Sequence, residues 1–235
     1  MTLTKQMTNM KKLIIAMTLL SIFGMMPTWA QSGDGFILKT KSNVVKLGPK
    51  VGLGFTSMGQ PKEVDLVDGA GAGYSFGLAM KARLGRATKE TLQGGTGILG
   101  FGLEMLYKQN KVNTIGEQNL SLGYLEIPLT LQLYPMSKSN MMNSFYVEVG
   151  PDFAMIASKS PDVLTVPSAN LAYHTGDFKG GDLRIIAGIG YTIPKTSLDI
   201  NARYYIGTSE LAGNFPCKTN TLEFSLAWMF NIAKF

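Results

Sequence analysis

Apolar and polar residues alternate with a period of two in eight separate segments of the chain. In the fourth segment Leu125, Ile127 and Leu129 fall on one face of a strand, because successive side chains of a strand point to opposite faces. Glu126 and Thr130 fall on the other face. The pattern predicts an all-β fold, an eight-stranded antiparallel up-and-down β-barrel. The predicted strands span residues 50–56, 74–84, 99–108, 124–133, 145–155, 182–192, 198–207 and 222–230.

The residue types on the two faces indicate which face lies outside. The polar face is rich in glycine, as at Gly52, Gly102 and Gly188, and glycine fits the crowded interior of a small barrel. The other face carries ladders of Leu, Ile, Val and Phe, with aromatic residues such as Tyr107 and Trp228 near segment ends. Such a band is typical of contact with outer-membrane lipid. In the alternative, a soluble lipocalin-like barrel, the apolar face would point inward. The composition favours the transmembrane β-barrel.

An export signal is predicted in residues 1–30. Lys11-Lys12 form its basic segment, residues 13–26 form its apolar segment, and small residues precede a cleavage site after Ala30. The apolar segment is too short to span a bilayer, since a transmembrane helix needs about 20 residues. We therefore expect a cleaved signal peptide rather than a membrane anchor.

The rest of the chain divides into a leader and one domain. We expect residues 31–45 to form a periplasmic leader and residues 46–235 to form the outer-membrane β-barrel domain. Met1, Met7 and Met10 are alternative starts of the signal peptide. Export together with lipid-facing strands predicts localisation in the cell outer membrane.

Charge and cysteine content exclude two classes of protein. The 235 residues carry a formal net charge of +6, and removal of the predicted signal peptide takes away three lysines and leaves +3. This balance is too mild to indicate a nucleic-acid partner. The single cysteine, Cys217, excludes a disulfide framework.

The lengths of the connections predict the orientation of the barrel. Outer-membrane barrels have short periplasmic turns and longer external loops. Four connections are therefore predicted to be external and three, on the whole shorter, to be periplasmic. The external set covers residues 57–73, 109–119, 157–181 and 208–220, and the periplasmic set covers residues 85–96, 135–143 and 194–196.

Charged residues of both signs fall on the inward face of the strands. An unpaired charge inside a barrel this small is costly, so we expect these residues to form a salt-bridged plug. Arg203 is expected to contact Glu223 or Asp182 on the adjacent strands. Glu126 and Glu148 are further candidates if the barrel is narrow. The predicted network consists of Arg83, Glu104, Glu126, Glu148, Asp182, Arg184, Arg203 and Glu223, with Lys81, Lys108, Asp152 and Asp199 on the same face.

The sequence gives little support for catalysis or metal binding. A lipid-modifying barrel enzyme would need a histidine base near a serine nucleophile. The sole histidine, His174, is followed by Thr175 and Gly176. One histidine and one distant cysteine do not make a metal site. We predict no enzyme activity, no cofactor and no metal, and keep a lipid-modifying enzyme as the less favoured alternative.

Two functions agree with these features. The first is a structural anchor whose external loops meet a surface protein or ligand. The second is a narrow channel for small solutes, although eight strands leave little room for a pore. The candidate contact loop is the longest external connection, because long external loops carry function on such scaffolds. Its candidate contact residues are Pro161, Tyr173, His174 and Phe178.

Four short runs, in their order along the chain, carry a family resemblance. They are Tyr-Leu-Glu-Ile-Pro-Leu at residues 124–129, Phe-Tyr-Val-Glu-Val-Gly-Pro at residues 145–151, Ala-Gly-Ile-Gly-Tyr at residues 187–191 and Ala-Arg-Tyr-Tyr-Ile-Gly at residues 202–207. Over most of residues 45–235 the chain resembles the PorT-like outer-membrane β-barrel domain family. The resemblance implies a small eight-stranded outer-membrane barrel, in a family whose members mostly lack an assigned molecular activity.

The last predicted strand carries a further signal. The alternating run Phe-Ser-Leu-Ala-Trp-Met-Phe at residues 224–230 is followed by the final residue of the sequence, Phe235. A terminal aromatic residue after such a strand resembles the signal by which outer-membrane assembly machinery recognises its clients. We therefore expect that machinery to be a partner of the chain.

Overall fold

A computed structural model describes the chain from residue 44 onward, with gaps. The predicted signal peptide and all but the last two residues of the predicted leader lie outside the described residues. No helix in the described part of the chain is long and apolar enough to cross a membrane. The described residues are 44–59, 67–84, 97–114, 119–136, 142, 144–166, 171–194, 196–211 and 217–234.

Nearly all of the described chain is β-strand. The only described helix is a 3-10 turn, Thr175–Asp177. The strands are β1 (Val44–Met58), β2 (Val67–Leu84), β3 (Leu99–Thr114), β4 (Asn119–Leu133), β5 (Phe145–Ser160), β6 (Val163–Val166), β7 (Leu171–His174), β8 (Gly181–Thr192), β9 (Leu198–Gly207), β10 (Thr219–Trp228) and β11 (Phe230–Lys234).

The large sheet closes on itself as an antiparallel barrel. Its strand order is β10-β9-β8-β5-β4-β3-β2-β1-β11, and β10 also pairs with β1. Because β11 follows β10 after one residue and pairs with the same strand, β1, the two together make one wall of the barrel. The wall therefore contains eight strands, and the predicted up-and-down barrel is confirmed. β6 and β7 form a separate two-stranded hairpin.

The two faces of the strands differ as the alternation predicts. Outward residues are exposed and apolar, for example Leu53 with 66% and Trp228 with 55% of its surface accessible. Inward residues are buried and mostly small or charged, and the large guanidinium side chains of Arg184 and Arg203 are both fully buried. In a membrane the outward band contacts lipid instead of water, so the exposure of these apolar side chains carries no hydrophobic penalty.

The first and last described residues, Val44 and Lys234, pair with each other at one end of the barrel, which we call the terminal end; the opposite end is the loop end. The wall extends further at the loop end than predicted. Residues 57–73 and 109–119 were expected to be external loops, but most of them belong to the strands. Residues 69–73 are rich in glycine, which has low strand propensity, so their composition favours a loop. Pairing with β3 at residues 69 and 70 and with β1 at residues 71–73 overrides that preference. Glycine is needed at position 73 because a Cβ there would meet the backbone carbonyl of Gln109.

The predicted contact loop is also shorter than expected. β5 continues to Ser160, and β8 starts at Gly181, which leaves residues 161–180 outside the barrel wall. The hairpin of β6 and β7 and the 3-10 turn lie within that connection. β1 likewise begins at Val44, inside the predicted leader.

Candidate functional site

The centre of the barrel is crossed by one arginine and two glutamates. Arg203 on β9 donates from Nη1 to Oε2 and from Nη2 to Oε1 of Glu104 on β3, each over 2.7 Å. Its Nε donates to Oε1 of Glu148 on β5 over 2.6 Å. Lys50 of β1 donates to the Glu104 carboxylate over 2.9 Å. Since β3 and β9 are diametrically opposed in the strand order, the Arg203–Glu104 pair spans the whole lumen.

Of the partners expected for Arg203 from sequence, Glu223 and Asp182 on the adjacent strands are wrong, whereas the further candidate Glu148 is confirmed. Glu223 does lie opposite Arg203 in the register of β10 and β9, but its Oε2 contacts Lys108 Nζ at 2.8 Å. No ion pair joins Arg203 to Asp182 among the described residues. Proximity in the strand register therefore does not determine which carboxylates pair with Arg203.

A glycine explains the pairing with Glu148. In register, Glu148 lies opposite Gly188, and Gly188 lies opposite Arg203. A Cβ on Gly188 would lie 3.0 Å from Arg203 Cγ and 3.3 Å from Glu148 Cγ. Because glycine leaves this space free, the guanidinium reaches across β8 to a strand that is not its neighbour. Glu104 was not expected because it lies on the opposite wall.

A second ion cluster fills the barrel nearer the loop end. Lys108 Nζ lies 3.0 Å from Glu126 Oε2 and 2.8 Å from Glu223 Oε2. Arg184 contacts Glu126, and its Nε donates to Asp152 Oδ2 over 2.9 Å. All of these side chains are almost completely buried. Buried charges need such partners, because an isolated one costs several kcal/mol (~3–5).

Tyrosine rings line the second cluster. Lys108 Nζ lies 3.4 Å from the ring centre of Tyr205, and the Arg184 guanidinium lies 5.1 Å from that of Tyr124. A cation over an aromatic face is attracted by the ring quadrupole. The rings therefore hold the cations and fill the space between the ion pairs.

A third group of charges lies towards the terminal end. Lys81 Nζ donates to Asp199 Oδ1 over 2.6 Å, and Tyr146 and Thr192 donate to the same carboxylate over 2.8 and 2.6 Å. Arg83 donates from Nε to the carbonyl of Gly97 over 2.9 Å. The Arg83 guanidinium stacks 3.8 Å from the ring centre of Tyr134.

Apolar residues close the loop end. Leu164 and Phe178 from the β5–β8 connection and Leu211 and Cys217 from the β9–β10 connection are all buried against the inner wall. We call this group the hydrophobic cap. Burial raises the pKa of the Cys217 thiol to about 12. The cap consists of Met58, Val112, Leu120, Leu122, Tyr124, Ala154, Leu164, Phe178, Leu211 and Cys217.

The four predicted contact residues have different environments. Phe178 is buried in the hydrophobic cap, so its place in a contact surface is wrong; its apolar ring packs inward against the other residues of the cap. His174 is exposed. Pro161 is half-buried, and its carbonyl accepts a hydrogen bond from Thr175 Oγ1 over 2.8 Å. The side chain of Tyr173 lies outside the described residues.

The described side chains offer no site for a metal. No group of three or more His, Cys, Asp or Glu among them has an arrangement that could hold a metal ion. Each carboxylate of the two central clusters instead faces a lysine or an arginine. The chemistry of this interior is ion pairing.

A barrel with an apolar outer band, a charged interior and no open edge defines the class of outer-membrane β-barrel proteins. Residues 14–212 match the family described as outer membrane protein beta-barrel domain, and the chain belongs to that family. The protein therefore resides in the outer membrane, with its apolar band in lipid.

Solved structures of three outer-membrane proteins show distant likeness. Ail of Yersinia pestis, in complex with the heparin analogue sucrose octasulfate, is 12% identical, with 81% of this chain and 99% of that chain covered and a TM-score of 0.39. OprG of Pseudomonas aeruginosa is 13% identical, with 82% and 97% covered and a TM-score of 0.40. AlkL is 13% identical, with 83% and 92% covered and a TM-score of 0.29. Likeness at this level carries no functional information. A comparison with curated proteins finds no match.

Proposed function

We propose that this protein is a closed anchor in the outer membrane that holds its external loops in a fixed arrangement for interaction. The observation that carries the proposal is the Arg203–Glu104 pair, which joins opposite walls of the barrel through two hydrogen bonds of 2.7 Å. An ion pair that spans the lumen leaves no room for a continuous water-filled pore. The hydrophobic cap adds a second, apolar obstruction at the loop end.

The loop that leaves the wall after β5 is tied down at several points. Lys159 Nζ donates to the Phe178 carbonyl over 2.8 Å, and Thr175 N–H donates to the Asp162 carbonyl over 3.0 Å. Lys179 N–H donates to the carbonyl of Leu211 in the β9–β10 connection over 2.7 Å. Such bonds reduce the entropy that the loop would lose on binding a partner. A rigid loop on a rigid scaffold suits recognition.

The exposed residues of this loop are mostly polar or small, together with Val163, which is 37% accessible. They include Asp162, Thr165, His174 and Asp177, and the short hairpin of β6 and β7 leaves its strands without further neighbours in the described chain. We infer that a partner would meet this hairpin through its exposed polar side chains.

Conductance separates the anchor from the narrow channel. The purified full-length protein is reconstituted into planar bilayers at 1 M salt, and we expect current at the background of protein-free bilayers. Stable current steps from the unaltered protein would overturn the plugged lumen and favour a channel for small solutes. Arg203→Met should also stay near the background current, because methionine keeps much of the side-chain length and the hydrophobic cap still closes the loop end.

Labelling of intact cells tests whether the loops are external. Cys217→Ser removes the natural thiol, and His174→Cys or Thr196→Cys then places a single exposed thiol at the loop end or the terminal end. A membrane-impermeant maleimide should label position 174 in intact cells and position 196 only after permeabilisation. The reverse pattern would place the loops in the periplasm and refute the proposal.

Replacement of the hairpin tests interaction itself. A variant in which residues 163–174 become a short Gly-Ser linker should keep its fold, because the wall does not depend on that hairpin. Binding of a surface protein or ligand that the unaltered barrel retains should disappear in this variant and persist in Thr196→Cys. Equal binding by both would remove the hairpin from the contact surface.

The finer identity of the chain is part of the proposal. The sequence runs described above support a PorT-like barrel, a signal peptide cleaved after Ala30 and recognition of the strand ending at Phe235 by the assembly machinery. They also support a barrel without enzyme activity or cofactor. Residues 1–43 and Phe235 lie outside the described residues, and N-terminal sequencing of the purified protein tests the cleavage site.

A further inference from the structure

A small polar cavity lies inside the barrel at the terminal end, away from the loops. It has a volume of about 30 Å³. A single water molecule needs a cavity of about 10–15 Å³, so this cavity admits a small polar group and no bulky one. We call it the vestibule; its polar lining includes Lys46, Lys81, Arg83, Tyr134, Thr192 and Asp199.

The vestibule has more positive than negative charge. Three cationic side chains, Lys46, Lys81 and Arg83, face it together with one carboxylate, Asp199. That carboxylate is already used, because Lys81, Tyr146 and Thr192 all donate to it. Neither Lys46 nor Arg83 forms an ion pair with a carboxylate in the described part of the chain. The excess is two positive charges.

Arg83 provides a second, independent observation. Only 9% of its surface is accessible, and its position is fixed by the Gly97 carbonyl at Nε and by the ring of Tyr134. Its Nη2 is buried and has no hydrogen-bond partner among the described residues. Buried guanidinium donors are almost always satisfied, since an unmade bond to a charged group costs more than the bond contributes when made. The orphan donor points to an acceptor that comes from outside the barrel wall.

We propose that the vestibule binds a phosphate group. Two uncompensated cations match the charge of a phosphate monoester, which is about −1.5 to −2 near neutral pH. The fixed Arg83 fork and the two ammonium groups supply donors for its oxygens, the arrangement that phosphate recognition uses elsewhere. A carboxylate would leave one of the cations uncompensated. The phosphate is supplied either by free inorganic phosphate or by a lipid headgroup that is a phosphate monoester, as in phosphatidic acid, in the adjacent leaflet.

Titration with inorganic phosphate tests the first source. The purified full-length protein, in a non-ionic detergent and phosphate-free buffer, is titrated and followed by 31P NMR and by its thermal unfolding midpoint. Sodium chloride at matched ionic strength controls for screening. We expect saturable binding that Arg83→Met and Lys46→Met each weaken by about tenfold or more, the loss typical of one charge-assisted contact. Lys111→Met, at an exposed position near the loop end, should bind as the unaltered protein does.

Lipid addition tests the second source. The same protein is mixed with phosphatidic acid or with diacylglycerol of the same acyl chains, and retained lipid is counted by native mass spectrometry. Retention of phosphatidic acid alone, and its loss in Lys46→Met, would assign the site to a lipid headgroup. Lys46→Met decides the question if Arg83→Met does not fold, because Lys46 is half-buried and forms no described ion pair.

Three results would overturn the proposal. The first is absence of saturable binding for both phosphate and phosphatidic acid. The second is an equal thermal shift in chloride at the same ionic strength, which would show general screening. The third is binding that survives unchanged in both Arg83→Met and Lys46→Met. None of these outcomes depends on whether the external loops bind a partner.

Discussion

Replacement of Arg203 by methionine is the sharpest test of the plugged interior. Methionine keeps much of the side-chain length and removes the charge and all donors. Arg203 makes four hydrogen bonds, two to Glu104 and two to Glu148. All three side chains are at most 4% accessible, so water cannot replace the lost bonds without entering the barrel.

The contacts that remain after the change set the magnitude. Glu104 keeps Lys50 at 2.9 Å, whereas Glu148 keeps only the amide of Gln132, whose Nε2 lies 3.2 Å from Oε2. One carboxylate is therefore left buried without a cation. Removal of one partner from a buried ion pair costs about 3–5 kcal/mol, and we expect Arg203→Met to lower the free energy of unfolding by that amount. Lys50→Met should cost less, about 1–3 kcal/mol, because Glu104 keeps both bonds from Arg203.

Equilibrium unfolding in denaturant provides the assay. Trp228 on the lipid face is a fluorescence probe that leaves an apolar environment on unfolding, and heat-dependent gel migration gives an independent measure of the folded fraction. The double variant Arg203→Met/Glu148→Gln removes the stranded charge together with the arginine. We expect it to be more stable than Arg203→Met alone by about 1–3 kcal/mol, since residues in one network do not act additively.

A double variant that is less stable than the single one would refute this reasoning. It would show that the arginine contributes through packing alone and that the carboxylate finds water or another partner. A loss below about 1 kcal/mol for Arg203→Met would have the same meaning, because exposed pairs contribute that little.

Three further changes test other parts of the structure. Leu129→Arg should lower the free energy of unfolding by about 2–4 kcal/mol, because it places a charge in hydrocarbon, and this loss should vary with bilayer thickness. Thr130→Arg points inward, so its effect should not depend on thickness in vesicles of different acyl length. Gly188→Ala should lower the free energy of unfolding in denaturant by about 1–3 kcal/mol, because its Cβ would crowd Arg203 and Glu148. Gly176→Ala has nothing within 4 Å of the added Cβ, so its stability should match that of the unaltered protein. Because thiolates react with maleimides and burial raises the pKa of Cys217 to about 12, the folded protein should label about tenfold or more slowly than the unfolded protein at pH 7–8; equal rates would show an open cap.

The alternation of residue types was enough to predict the barrel and its two faces. A period of two assigns every inward position once one face is known, so charged residues as far apart as Glu104 and Arg203 were placed in the interior together. Their partners could not be predicted in the same way. Pairing across a lumen depends on curvature and on gaps left by glycines such as Gly188, and neither is visible in strand-by-strand reasoning.

The ends of the strands were less predictable than their centres. Glycine-rich residues 69–73 have the composition of a loop, and only pairing with the neighbouring strands β1 and β3 makes them β-structure. The hydrophobic cap was missed for a similar reason. Phe178 in a long connection has the properties of a contact residue, and its burial follows from packing against Leu211 and Cys217, which lie far away in sequence.

The seam between the first and last strands has a consequence for biogenesis. β1 gains its second neighbour only when β10 and β11 pair with it, so the barrel closes between the first and the last described strands. Before that pairing, the edges of β1 and of β10 and β11 are two rows of unpaired backbone groups, which hydrocarbon cannot satisfy. Closure of the seam therefore removes both open edges in one step. A chain truncated before residue 219 would keep both open edges and would lack Glu223, a partner of Lys108, so its unpaired backbone groups would be open to pairing with other chains.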